Sequence, residues 1–225
     1  MVSCSRFRRP ANPRGLLLLL ALLLLGYAGS LPAQVTLTRG TNFSVAANGD
    51  GQLAIDLLGT VWSLPQQGGA ARMLTHADRS ARRPRWSPDG VRLVFQVRNP
   101  ARQGLAVVSV DSGTTASLGI GRYFDQHPSW HPDGARVVFS SDRKTTGFDI
   151  WELDVPTGLA WRLTDQAGDE TEPAWSADGR DLVYIHYAGG TWSVVLRRHG
   201  QPDRVLESAT TRLSSPSWRP DGSLI

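Results

Sequence analysis

Four copies of one short pattern, Trp-x-x-Asp-Gly, recur at nearly even spacing, and this repeat constrains the fold more than anything else in the chain. The copies are Trp86-Ser87-Pro88-Asp89-Gly90, Trp130-His131-Pro132-Asp133-Gly134, Trp175-Ser176-Ala177-Asp178-Gly179 and Trp218-Arg219-Pro220-Asp221-Gly222. Their tryptophans lie 44, 45 and 43 residues apart, within the roughly 40 to 45 residues of one four-stranded propeller blade. Each copy reads as a tight turn. Proline presets φ at the second position, aspartate suits the third, and glycine takes the last, where φ is often positive. A β-branched, apolar or aromatic run follows: Leu93-Val94-Phe95, Val137-Val138-Phe139 and Leu182-Val183-Tyr184 are each suited to a buried strand. The tryptophan before each turn is then a packing anchor contributing at most about 4–6 kcal/mol, and its indole N–H requires an acceptor.

The fold class expected is all-β: a β-propeller of four-stranded blades, with four blades and the start of a fifth present and the ring incomplete. Blade one is the least regular. Asn48-Gly49-Asp50-Gly51 replaces the usual turn, no tryptophan precedes it, and Leu53-Ala54-Ile55 is read as its first strand. Blade five opens at Pro216 and reaches only Ser223-Leu224-Ile225. A propeller closes with about four to eight complete blades, so the chain is expected to be the N-terminal part of a longer protein.

Residues 1–33 read as a secretory signal peptide: a basic start, the apolar run from Leu16 to Leu25, then small residues. Cleavage after Ser30 and after Ala33 are both compatible with the pattern. Ten apolar residues are too few to span a bilayer, so no stable membrane span is expected after cleavage. Residues 34–40 form a short lead-in strand and linker, and 41–225 the propeller. The charge balance follows this division. Arg6, Arg8, Arg9 and Arg14 are the only charged side chains before residue 34 and account for the whole formal net charge of +4. The remainder is neutral, which argues against a nucleic-acid partner. The single cysteine, Cys4, lies in the leader, so the mature chain is expected to have neither disulfides nor thiol chemistry.

Beyond the turn, blade three continues with Asp149-Ile150-Trp151-Glu152-Leu153-Asp154, Thr157-Gly158 and Leu163-Thr164. Together these elements resemble the WD40-like repeat of the TolB-type β-propellers, called PD40, over residues 41–225. The resemblance implies an extracytoplasmic propeller in a bacterial cell envelope, periplasmic or secreted. TolB itself carries an α/β domain before its propeller, whereas about ten residues separate leader and blade one here. The opening blade, Asp56 to Pro65 with Gly68-Gly69 and Leu74-Thr75, is also similar to propellers that precede secreted amidohydrolases and tricorn-like or prolyl-oligopeptidase-like peptidases.

No nucleophile elbow, zinc helix or phosphate-cradling loop occurs, so no catalytic residue, metal ligand or cofactor is assigned. His127 and His131 have metal-ligand spacing only on a helix, which Pro128 and Pro132 interrupt. The repeat register instead sets His127 beside Arg83, Glu172 and Ser215. The repeated aspartates are read as turn acceptors, and the acidic stretch Asp165 to Glu172 as a solvated connector.

In an up-and-down blade the Pro-Asp-Gly and Thr-Gly turns share one face, leaving the alternate loops on the other. Those loops are expected to be longer and to meet a partner. The residues singled out on that face are Arg79, Arg83, Arg98, Arg102, Arg143, Asp165, Asp169 and Glu170. The expected function is binding of a protein, peptide or glycan, non-catalytic within these residues. The alternative is an accessory propeller whose hydrolase domain lies beyond residue 225.

Overall fold

The computed structural model describes residues 44–76, 80–99, 102–119, 123–143, 147–219 and 221–225. The leader and the lead-in strand expected at residues 34–38 lie outside them. Among the described residues no helix is long and apolar enough to cross a membrane.

Among the described residues, sixteen strands form four separate antiparallel sheets of four, each joined strand to strand in sequence order. The first sheet contains β1 (Val45–Ala47), β2 (Gln52–Leu57), β3 (Thr60–Pro65) and β4 (Arg72–Met73). The second contains β5 (Ala81–Trp86), β6 (Arg92–Asn99), β7 (Arg102–Ser109) and β8 (Thr115–Ser117). The third holds β9 (Asp125–Trp130), β10 (Arg136–Ser141), β11 (Asp149–Asp154) and β12 (Ala160–Arg162), and the fourth β13 (Asp169–Trp175), β14 (Asp181–Ala188), β15 (Thr191–Arg198) and β16 (Arg204–Ala209). The opening strands pack against one another, β1 on β5, β5 on β9 and β9 on β13. They are therefore the inner strands, and the sheets are propeller blades arranged around them. A bridge between Trp218 and Leu224 begins a fifth blade, and the ring is not closed.

Strand periodicity explains the core. Successive side chains point to opposite faces of a sheet, and the central strands are apolar on both. Leu93 and Phe95 pack toward blade one, with Ala54, Val61 and Leu74. Val94 packs the other way, with Trp130, Val137 and Phe139 of blade three. Val138 and Ile150 meet Leu182, Tyr184 and Val195 between blades three and four. Each blade is thus buried by its neighbours, which is why the repeat is stable only as an array.

The signature turns close as their chemistry dictates. Gly90, Gly134, Gly179 and Gly222 have φ of 71°, 71°, 70° and 82°, a region that L side chains rarely occupy. Their N–H groups donate to the carbonyls of Ser87, His131, Ser176 and Arg219. The aspartates accept the N–H two residues on, at 3.2 Å for Asp89, 2.9 Å for Asp133, 3.1 Å for Asp178 and 2.9 Å for Asp221. The Leu-Thr pairs have an equally local use: the hydroxyls of Thr75 and Thr164 accept the N–H of Val61 and Ile150 at 2.9 and 2.8 Å.

The tryptophans join blades. Trp86 donates its indole N–H to Ala46 O at 3.1 Å, Trp130 to Arg85 O at 3.1 Å, and Trp218 to Ala174 O at 3.0 Å. In each case the acceptor lies on the preceding blade's inner strand. Trp175 departs from the pattern: its indole N–H has no acceptor among the described residues, and its ring meets His131 edge-on, with centroids 4.9 Å apart.

Two expectations need correction. Blade one has an inner strand, β1, before its irregular turn, so Leu53-Ala54-Ile55 lies in its second strand. It lacks the tryptophan that marks the others. Within blades, the loops opposite the signature turns are also mostly short. Pairing of Leu57 with Thr60, Asn99 with Arg102 and Ala188 with Thr191 leaves two-residue hairpins. Longer connections on that face run from Ser141 to Asp149 within blade three and, between blades, from Met73 to Ala81, from Ser117 to Asp125 and from Arg162 to Asp169, as expected.

Candidate binding site

Each inner strand of blades two to four is interrupted at the same place. Ladder register shifts between Arg82 and Arg85 in β5, between the partners of Val138 and Ser140 in β9, and between Thr171 and Ala174 in β13. A proline occupies each break: Pro84, Pro128 and Pro173. Proline has no N–H for the ladder, so the strand bulges there. The residue before each proline adopts a left-handed backbone, with φ of 51° at Arg83, 54° at His127 and 55° at Glu172, and Ser215 before Pro216 repeats it at 57°. For residues other than glycine this conformation costs about 1–3 kcal/mol.

The four side chains held this way line one channel of about 470 Å³, with Arg85, Val45, Trp175 and Trp218. Carboxylates fix the backbone around it. The Asp56 carboxylate, 5% exposed, accepts the N–H of Ser44 and, at 2.9 Å, that of Arg83. Glu172 accepts the N–H of Ser215 and pairs with Arg212 at 3.3 Å. His127 has a buried Nδ1 with no partner among the described residues. Burial and the nearby Arg83 guanidinium lower its pKa from the usual 6.5 to about 4, so the ring is neutral at pH 7.

The residues singled out on the loop face do not form one patch. Arg83 lines the channel. Arg98 is exposed and borders a separate cavity of about 390 Å³ with Gln103, Phe124 and Asp142. Arg143 holds the buried Asp125 carboxylate through two bonds, 2.6 Å from Nη2 and 3.2 Å from Nε, and its guanidinium lies 5.0 Å from the Phe139 ring centroid. Asp165 is exposed. Asp169 accepts the N–H of Phe148 at 3.0 Å. Glu170 is fully buried and does not reach the surface; burial raises its pKa even though it accepts a bond from Thr164. Arg79 and the side chain of Arg102 lie outside the described residues.

His127 and His131 occupy different sites. His127 lies in the channel wall, while His131 sits in the signature turn, its Nδ1 accepting the Asp133 N–H at 3.1 Å. Among the described residues no group of three or more His, Cys, Asp or Glu is arranged to hold a metal ion. Sequence reasoning aligned the four channel residues through the repeat but assigned only Arg83 to a site, on the loop face. Their signal was the x-Pro-x-Trp motif in each inner strand.

Residues 61–225 match the TolB β-propeller domain, PD40. The chain belongs to the TolB β-propeller family. Among solved structures, putative TolB from Agrobacterium tumefaciens is 23% identical with a TM-score of 0.72, the match covering 84% of this chain and 75% of that one. TolB from Acinetobacter baumannii is 22% identical with a TM-score of 0.70; the match covers 87% of this chain but 50% of that TolB. Oligogalacturonate lyase from Vibrio parahaemolyticus is 14% identical with a TM-score of 0.62, covering 82% of this chain and 61% of the lyase. Identities this low establish the shared fold, and function must be argued from the site. In this TolB-family chain the four channel residues differ from blade to blade, while the left-handed backbone that carries them recurs at φ of 51° to 57°.

Proposed function

We propose that this chain is the binding module of a bacterial cell-envelope protein, non-catalytic within the residues present, and that it receives a protein or peptide partner in the channel lined by its inner strands. The observation that carries this reading is the recurrence of a strained left-handed backbone at Arg83, His127, Glu172 and Ser215, each presenting a different polar side chain to one cavity. A scaffold that keeps the backbone and varies the side chain is suited to recognition. The envelope location is supported by the leader-like residues 1–33 and by membership of the TolB family.

A second contact region is favoured by Phe124, 43% exposed beside Arg98 on the loop face, and by its neighbour Tyr123, 40% exposed against Arg143. Exposed aromatic residues next to an arginine are frequent anchors of protein interfaces. A partner engaging both regions would bridge the channel and the groove between blades two and three. An accessory role beside a hydrolase domain remains the alternative for the whole protein.

The two regions are separated by comparing Arg83→Ala/Ser215→Ala with Arg98→Ala/Asp165→Ala in capture of envelope proteins. Loss confined to the channel pair is expected. Loss confined to the loop-face pair would move the site to that face.

A further inference from the structure

We propose that the channel grips a carboxylate of an acidic peptide, with Arg83 and Arg85 as the anion-binding pair. The inference rests on the channel being the binding site and adds the chemistry of its ligand.

Most arginines near carboxylates in this fold are already paired: Arg92 with Asp89, Arg136 with Asp133 and Glu152, Arg143 with Asp125, Arg162 with Asp149, Arg198 with Asp181 and Arg212 with Glu172. Arg83 and Arg85 form no ion pair among the described residues, yet they stand two positions apart on β5 and line the same cavity. The acidic groups that face them are engaged elsewhere. Asp56 is taken by the N–H groups of Ser44 and Arg83, and Glu172 by Arg212 and Ser215. Their charges support Arg85 without closing on it, while Arg83 repels it. Two guanidiniums with no direct ion pair, held among the longer-range charges of Asp56 and Glu172, make a local cationic site, and their planar donor sets match a carboxylate. His127 adds a ring to the same cavity wall.

The walls favour a peptide over a bare inorganic anion. Val45, Pro128, Pro173, Pro216 and the tryptophans Trp175 and Trp218 border the arginines. Apolar surface beside paired cations suits the methylene stem of a glutamate or aspartate, which phosphate lacks.

The test is calorimetric titration of the chain with a hexaglutamate peptide at low ionic strength, with hexaglutamine, citrate and inorganic phosphate as comparison probes. Hexaglutamate is expected to bind and hexaglutamine not. Arg83→Gln/Arg85→Gln is expected to weaken binding at least tenfold (about 1.4 kcal/mol). Arg180→Gln/Arg204→Gln removes the same formal charge at exposed positions outside the channel and is expected to change affinity less than about twofold, screening acting on exposed charges. Because the channel variant can fail to fold, nitrogen chemical shifts of the His127 ring are followed in the unaltered chain, where hexaglutamate is expected to move them. Absence of hexaglutamate binding, equal binding of hexaglutamine, tighter binding of citrate or phosphate, equal loss in both double variants, or an unmoved His127 ring would each overturn the proposal. The channel itself fails separately, if envelope capture survives Arg83→Ala/Ser215→Ala.

Discussion

Arg143 looks like a surface cation in the sequence but is bound into blade three, so its removal should act on stability. Its guanidinium bonds the Asp125 carboxylate at 2.6 and 3.2 Å and Ser141 Oγ at 3.1 Å. The side chains of Asp125 and Arg143 are 1% and 17% exposed, and the guanidinium lies over the rings of Phe139 and Trp151. Arg143→Ala leaves a buried carboxylate without its cation, a change that destabilises by about 3–5 kcal/mol. At about 2–4 °C per kcal/mol for a domain of this size, the midpoint falls by about 6–20 °C. Thermal and urea unfolding of Arg143→Ala measure this directly. Asp125→Asn/Arg143→Met is expected to recover part of the loss, because it removes the orphaned charge and keeps an apolar stem against the rings. A change below about 1 kcal/mol for Arg143→Ala, the range of exposed pairs, would refute the reasoning. So would a double variant no more stable than Arg143→Ala. An alanine scan of the loop face that includes Arg143 would therefore lose binding through unfolding.

The indole bonds make a paired prediction. Trp130→Phe removes the donor to Arg85 O and should cost about 1–3 kcal/mol beyond its packing loss, whereas Trp175→Phe removes an N–H that has no acceptor among the described residues and should cost less in urea unfolding. Glu170 makes a pH prediction. Burial raises its folded pKa above the unfolded value of about 4.5, so its contribution to stability is fully present below that pH and is lost as pH rises through the folded value. Glu170→Gln is expected to raise the unfolding midpoint at pH 7 relative to the unaltered chain and to flatten its decline between pH 4.5 and 7. Equal slopes would contradict the buried-carboxylate account.

The signature turns were legible because their chemistry is local. Within five residues the sequence specifies the aspartate acceptor and the glycine of positive φ in every copy, and the proline in all but the third, where Ala177 stands; the 43 to 45 residue spacing then supplies the blade. β1 was not legible, since Val45–Ala47 has no tryptophan of its own and is marked only by Trp86, 40 residues on, donating to Ala46 O. The channel was half legible. Register aligned Arg83, His127, Glu172 and Ser215, but a residue before proline ordinarily favours extended backbone. The left-handed turn depends on a bulge stabilised by distant partners, as Asp56 holds the Arg83 N–H. Glu170 and Arg143 misled for a related reason: charged residues near polar loops read as surface, and only tertiary contacts reveal that one is buried and the other pairs with Asp125.

The claim that the channel is where a partner docks is tested most directly by photo-crosslinking in cells, with a photoreactive residue at position 215, at position 123 or at position 159. Ser215 tolerates an L side chain at φ 57°, Tyr123 belongs to the loop face, and Leu159 is 67% exposed on the opposite turn face. The account predicts that position 215 gives a discrete crosslinked product in higher yield than either other position. Equal yields at all three positions, or a product from position 159 with none from 215, would contradict it.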